Sequence, residues 1–222
     1  MQYLYHAEAG LPSITLTGDE HRYIFKVRRH RQGEMMALRN LTDNQLYHYQ
    51  ISSLDKKEAN LQLQSSEVLA VHAKRELHIG WCLIDPKNIE KVLPTLNELG
   101  VAKITFIYCD RSQKDFKLDF KRMEKILLNS SQQSGRSSLM ILEQVDSLKA
   151  FLKVHPESYM LNFSETKLHS EEPVETVVIG CEGGFTQSEV VMFEPAKIIG
   201  LDTPLILKSE SAVCAVASKI LL

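Results

Sequence analysis

Residues 177–189, VVIGCEGGFTQSE, decide how this chain is read. Val177, Val178 and Ile179 form a β-branched run of the kind that buried strands carry. Gly180, Gly183 and Gly184 follow, where the backbone can turn sharply and meet a ligand with no side chain between. Thr186 and Glu189 have capping-box spacing, which predicts a helix starting at Thr186. Strand, glycine loop and helix N-terminus, in that order, offer backbone N–H groups to a small molecule. The same order also serves as a plain structural turn, so the neighbouring sequence has to decide.

Outward from that loop the chain alternates strands and helices. Short apolar runs predict strands over 77–84, 103–109, 159–163, 177–181 and 197–201. Helical spacing predicts helices over 88–99, 119–134, 147–154 and 209–222. The first has Ile89, Val92, Leu93, Leu96 and Leu99 on one face, and the last has Ala212, Val216 and Ile220. Pro94 falls inside the first and is expected to bend it or spoil its first turns. Strand–helix–strand order implies parallel pairing through right-handed crossovers, hence an α/β domain over 73–222. Residues 1–72 read differently. Strands over 13–16, 35–39, 45–54 and 59–68, with a brief helix over 20–28, predict a small N-terminal β-barrel.

Composition narrows the functional classes. With 222 residues, 44% of them hydrophobic, the chain can build a core without metals or disulfides. Cys82, Cys109, Cys181 and Cys214 form no CxxC pair and read as buried free thiols in a reducing compartment. The N-terminus lacks the basic start and apolar core of a signal peptide, and no apolar run is long enough to span a bilayer. A soluble cytoplasmic protein with no membrane partner is therefore expected. No GxGxxG, P-loop, HExxH or GxSxG motif occurs, and the histidines show no paired metal spacing. Dinucleotide, nucleotide-triphosphate, metal and serine-hydrolase readings find no support.

Net charge is −2, which gives no global attraction to nucleic acid. The charge is nevertheless segregated. Between His21 and Arg39 six cations, Arg22, Lys26, Arg28, Arg29, Arg31 and Arg39, stand against Glu34 alone, an excess of five. The remainder of the chain then carries an excess of seven negative charges. Such a segment is either a phosphate-binding surface or a solvated helix face.

The order of motifs resembles the ribosomal RNA small subunit methyltransferase E family, within the SPOUT superfamily of knotted methyltransferases. The resemblance runs through nearly the whole chain. It is carried by HRYIFKVRRHRQG at 21–33, NELGV at 97–101, CDRS at 109–112, QQSGR at 132–136, GCEGG at 180–184 and ILKSESA at 206–212. Gln132 stands where the family has glutamate, Cys181 where it has proline, and Lys208 where it has arginine. Thr203 and Leu205 replace a glycine and an arginine in a cofactor loop.

The resemblance implies a PUA-like RNA-binding barrel over 1–72 and an α/β trefoil-knot methyltransferase domain over 73–222. It implies a homodimer through the C-terminal domain, S-adenosyl-L-methionine bound in the knot, and methylation of ring nitrogen-3 of a uridine in 16S ribosomal RNA. The partner is then 16S rRNA or the small ribosomal subunit, with no metal. Three loops clasp the cofactor on this reading, through Leu161, Phe163, Gly180, Glu182, Gly183, Gly184, Leu201, Ile206 and Leu207, with Ser211 beyond them. Arg22, Lys26, Arg28, Arg29 and Arg31 bind RNA.

Methyl transfer from a sulfonium needs in-line positioning more than covalent help. A uracil imide nitrogen must lose its proton, and arginines near the uracil oxygens can stabilise the anion. Arg111 and Arg136 are the candidates, against the alternative that either makes a structural salt bridge. Glu182 can hold a neighbouring loop or a substrate amine. Glu210 suits the first turn of the last helix, where the dipole favours a carboxylate, and is also a candidate general base. Two other classes stay open: a non-catalytic RNA-binding or ribosome-assembly protein on the same fold, and a small-molecule methyltransferase.

Overall fold

The structure, a computed structural model, describes residues 2–222. The chain divides into two compact units, Met1–His72 with Ser131–Ser138, and Ala73–Ser130 with Leu139–Leu222.

In the first unit, among the described residues, five strands form one mixed sheet in the order β1-β3-β4-β5-β2. They are β1 (Leu4–Tyr5), β2 (Ser13–Thr17), β3 (Met35–Arg39), β4 (Gln45–Leu54) and β5 (Glu58–Val68). β1 runs parallel to β3 and the other pairs are antiparallel. Alternation sets the faces: in β2, Ile14 and Leu16 are buried while Ser13, Thr15 and Thr17 are exposed. The expected barrel is instead a curled half-barrel with β1 and β2 at its edges. β1, only two residues long, leaves the sheet open on its side.

The segment 131–138 belongs to this unit through main-chain and side-chain bonds. Gln2 N–H donates to Gln132 O and Tyr5 N–H to Gln132 Oε1, both at 2.8 Å, and Tyr3 OH donates to Arg136 O at 2.7 Å. Sequence spacing carries no sign of so distant a pairing.

The helix expected over 20–28 is a short α-helix, α1 (Gly18–His21), continued as a π-helix (Arg22–Val27). The wider turn buries Ile24 while Arg22, Lys26, Arg28, Arg29 and Arg31 stay exposed. Arg29 closes it at φ 63°, where His30 N–H reaches back to Ile24 O at 3.2 Å. Arg39, counted with the basic segment, is a correction. It is 1% exposed, donates to the carbonyls of Gln45 and Leu69, and lies over the Tyr3 ring. Alternation puts it on the face opposite the core residues Met36 and Leu38, and the Tyr3 ring and these two carbonyls cover it there, so the accessible cations number five.

In the second unit, among the described residues, six parallel strands run in the order β11-β9-β10-β6-β7-β8. They are β6 (His78–Cys82), β7 (Lys103–Ile107), β8 (Ile141–Val145), β9 (Tyr159–Leu161), β10 (Thr176–Ile179) and β11 (Ile198–Ile199). The helices are α2 (Pro86–Leu99), α3 (Phe120–Ser134, its last turn counted with the first unit), α4 (Leu148–Val154), α5 (Gln187–Val190) and α6 (Ser209–Leu221). β6 and β10 are buried on both faces, as parallel strands under helices are, and Trp81, Phe106 and Val178 lie in their core. α6 packs on α2 and on β10.

α2 begins two residues earlier than its apolar periodicity indicates. Asp85 caps it, accepting from Lys87 N–H at 2.9 Å, and Pro86 occupies the first turn, where its missing N–H costs nothing. The helix runs on through Pro94, whose carbonyl accepts the Ser130 hydroxyl.

The thiols need a second correction. Cys82 and Cys109 form a disulfide, because the crossover lays β6 beside β7 and brings their Cα atoms to 5.6 Å. Cys181 and Cys214 are free.

His78 donates or accepts at Thr105 Oγ1 (2.8 Å) and packs against Phe151 and His155. Burial, then the charges of His155 and Lys103, push its pKa down to about 4. The folded value lies below the unfolded one, so stability is full above pH 6.5 and falls as pH drops toward 4. The loss is bounded at about 3 kcal/mol and is reduced by solvent at this part-exposed site. Urea titrations at pH 7 and pH 4.5 are expected to differ by less in His78→Phe than in the unmodified protein.

Candidate functional site

Three strand ends meet at one edge of the parallel sheet. Leu161 ends β9, Ile179 ends β10, and Gly200 follows β11. In open parallel sheets, ligands lodge beyond the carboxyl ends of the strands. A cleft of about 730 Å³ opens there, within the size range of small-molecule sites.

Each wall has a local cause. The chain after β9 doubles back, with Asn162 N–H donating to Ile199 O and Leu168 N–H to Gly200 O. This hairpin-like return places Asn162, Phe163, Ser164, Glu165 and Lys167 on one wall. Lys167 Nζ donates to Ser164 O at 2.7 Å, which ties the turn to itself. Gly200 lies so close to the return that a Cβ there would sit 2.8 Å from Ser164 O.

The second wall is the glycine loop between β10 and α5. Gly184 takes φ 67°, and its N–H donates to Cys181 O. The predicted capping box is present: the Thr186 side chain accepts from Glu189 N–H, and the Glu189 carboxylate accepts from Thr186 N–H. Burial pushes the Cys181 thiol up, so it stays neutral within the loop.

The third wall is 201–209. Leu205 and Ile206 are 71% and 81% exposed at the mouth, opposite Phe163 at 82%. Three large apolar side chains left open to water around one cleft form the kind of apolar surface that ligand-binding grooves carry. Ser209 is buried and is the hub of the floor. Its hydroxyl accepts from Trp81 Nε1 at 2.9 Å and donates to Gly180 O at 2.5 Å. Ser209→Ala strands both groups and is expected to lower unfolding free energy by about 1–3 kcal/mol, read from urea denaturation.

Of the residues singled out from sequence, Leu161, Phe163, Gly180, Glu182, Gly183, Gly184, Leu201, Ile206 and Leu207 line the cleft. Ser211 does not. It is exposed on α6, and Ser209 and Ala212 take the lining positions. Ser164 and Lys167 lie past the loop read from sequence, and Asn162 and Ser209 lie inside the loop and motif read there but carried no role of their own. Thr203 and Leu205 also line the cleft, and Thr203 Oγ1 accepts Leu205 N–H at 3.1 Å.

Arg111 follows β7 and donates from Nη1 to Gly183 O at 2.6 Å, so its guanidinium reaches the glycine loop. Arg136 lies in the first unit. It is 7% exposed, burial pushes its pKa down, and it is not among the lining residues. Glu210 sits in the first turn of α6, with Oε2 buried and without a hydrogen-bond partner among the described residues. No cluster of metal-ligating side chains occurs among the described residues.

A family model described as an RNA methyltransferase domain matches residues 72–221. A ribosomal RNA small subunit methyltransferase E of Helicobacter pylori is 39% identical over 222 residues, covering 98% of each chain. The chain belongs to the ribosomal RNA small subunit methyltransferase E family.

The fold is shared by two solved structures. One is a protein of Legionella pneumophila in complex with the bound cofactor SAM, at 24% identity and TM-score 0.81, covering 98% of this chain and 95% of that one. The other is a ribosomal RNA small subunit methyltransferase E of Neisseria gonorrhoeae bound to S-adenosyl methionine, at 18% identity and TM-score 0.80 with the same coverage.

Proposed function

We propose that the protein methylates ring nitrogen-3 of a uridine in 16S ribosomal RNA, using S-adenosyl-L-methionine. The observation that carries the proposal is the cleft at the ends of β9, β10 and β11, with an arginine hydrogen-bonded to its glycine loop. The walls fit the cofactor: aliphatic side chains such as Leu161, Leu201, Ile206 and Leu207 for the adenosine, glycine-rich backbone at 180–184 for its polar edges, and a volume suited to one small molecule. Bound there, the cofactor supplies an electrophilic methyl group on a sulfonium.

The chain's own residues then position and stabilise. Arg111 retains N–H donors beyond the one given to Gly183 O, and these are available to a uracil oxygen as the imide loses its proton. Glu182 is exposed on the cleft wall, suited to a cationic amine. Glu210 Oε2, buried and unpartnered among the described residues, is the candidate proton acceptor. Arg136 is retained as a second candidate for the RNA base, to be tested by substitution.

In this reading the first unit is a PUA-like module that holds RNA through Arg22, Lys26, Arg28, Arg29 and Arg31. The second is a trefoil-knotted domain that dimerises. The bonds of Ser209 to Trp81 and Gly180 hold the start of α6 against β6 and the glycine loop. No helix among the described residues is long and apolar enough to cross a membrane, and a cytoplasmic location accords with a ribosomal substrate.

Arg29 offers a focused test of the RNA surface. A non-glycine residue at φ 63° costs about 1 kcal/mol, a strain of the kind found at functional positions. Arg29→Gly is expected to keep or raise thermal stability, weaken RNA binding, and reduce the salt slope of binding by about 1. The reaction itself is tested by calorimetric titration with S-adenosylmethionine and by mass spectrometry of 16S rRNA nucleosides after incubation with small subunits. Absence of a new N3-methyluridine would overturn the proposal.

A further inference from the structure

Glu189 does more than cap a helix. It is 2% exposed, and its two carboxylate oxygens serve two different segments. Oε2 accepts Thr186 N–H at 2.9 Å, the capping bond. Oε1 accepts the backbone N–H of Asp110, also at 2.9 Å, although 79 residues separate the two. Asp110 returns the contact, its Oδ2 accepting the Thr186 hydroxyl at 2.9 Å. The loop after β7 and the loop after β10 lie on either side of β6 in the sheet order. No strand pairing joins them, so these bonds do.

The residue after Asp110 is Arg111, whose guanidinium reaches Gly183 O in the same glycine loop. The backbone one residue ahead of it is therefore held by Glu189, and its side chain by Gly183. Ser112 closes the other side, its hydroxyl accepting Cys109 N–H at 3.3 Å and its N–H donating to Cys109 O at 3.0 Å. A capping role needs only the Thr186 bond. Taking a carboxylate out of water is costly unless its lone pairs are satisfied, and the second oxygen is satisfied by the arginine-bearing loop.

We infer that Glu189 is a positioning residue, a buried carboxylate that clamps the Arg111 loop onto the glycine loop and fixes where the guanidinium stands over the cleft. The inference rests on the reading of Arg111 as the group that meets the RNA base. Glu189→Gln keeps the shape but turns an –NH₂ toward one of the two N–H donors, so one anchor is lost.

Two measurements on the full-length protein decide it. In hydrogen exchange, Glu189→Gln is expected to accelerate amides over 109–112 at least tenfold while the amides of β6 hold. Unchanged exchange at 109–112, or acceleration throughout the second unit alike, overturns the clamp whether or not the protein methylates RNA. In single-turnover methylation of small subunits, Glu189→Gln is expected to lower the rate at least tenfold with cofactor affinity held within threefold. In an Arg111→Ala background the same change is expected to cost twofold or less. Equal losses in both backgrounds overturn the inference, because a purely structural carboxylate does not act through Arg111. Should Glu189→Gln fail to fold, Asp110→Ala at an exposed position removes the reciprocal bond. It is expected to show the same dependence on Arg111 with a smaller loss, and independence from Arg111 overturns the inference. An unmodified protein that leaves RNA unmethylated sinks the methyltransferase reading, and hydrogen exchange still decides the clamp.

Discussion

Arg111→Ala is expected to lower the rate of methyl transfer by about 10²–10³, the cost of removing one preorganised donor from a developing anion. Cofactor affinity is expected to change little, since Arg111 is not among the lining residues and meets the cleft's glycine loop from behind, at Gly183. Single-turnover kinetics with saturating cofactor, beside calorimetric titration, separates the two quantities. Arg111→Lys is expected to recover part of the loss and no more. An ammonium carries the charge but not the fork that can hold Gly183 O and a base oxygen together. If both variants methylate at the unmodified rate, the guanidinium is a structural tether and the chemistry lies elsewhere.

Gly200→Ala is the second large effect, and it acts on binding. The added Cβ would meet Ser164 O at 2.8 Å and Asn162 O at 3.2 Å, both backbone atoms of the return after β9. Neither can swing aside as a flexible side chain can, so the two walls must separate. Overpacking of this kind costs about 1–3 kcal/mol of stability. Displacing a wall by a fraction of an ångström is expected to weaken cofactor binding by about 10–100-fold, by analogy with the rate cost of misplaced groups. Titration and a thermal melt, each with and without S-adenosylmethionine, read both effects. Full retention of cofactor affinity would show that this wall is not part of the binding site.

Much of the second unit was legible because its strands are buried on both faces. TVVI and HIGWC stand out as apolar runs, and the capping box at Thr186 and Glu189 named the start of α5. β8 escaped notice because it is a mostly exposed edge strand, where no apolar run is required. β1 is two residues long and has no signal at all. Arg39 and Arg29 show the limit of counting charges, since one is buried against Tyr3 and carbonyls and the other is exposed. Cys82 and Cys109 show the limit of spacing, since their adjacency comes from strand order. In the cleft, the glycines and leucines were found through motif. Ser209 was not, because its role depends on partners 29 and 128 residues away, and the return through Asn162 to Lys167 was not, because it is seated by its pairing with Ile199 and Gly200.

The bond between Trp81 and Ser209 has a consequence for how the protein is made. The indole leaves the ribosome long before the serine that will satisfy it, and domains organise from the N-terminal side as synthesis proceeds. Until that late segment docks, a nascent chain holds an unpaired donor at its centre and lacks one side of the ligand chamber. Maturation of this enzyme is thereby coupled to its final helix, and any truncation ahead of Ser209 is expected to yield a chain that neither packs nor captures its small molecule.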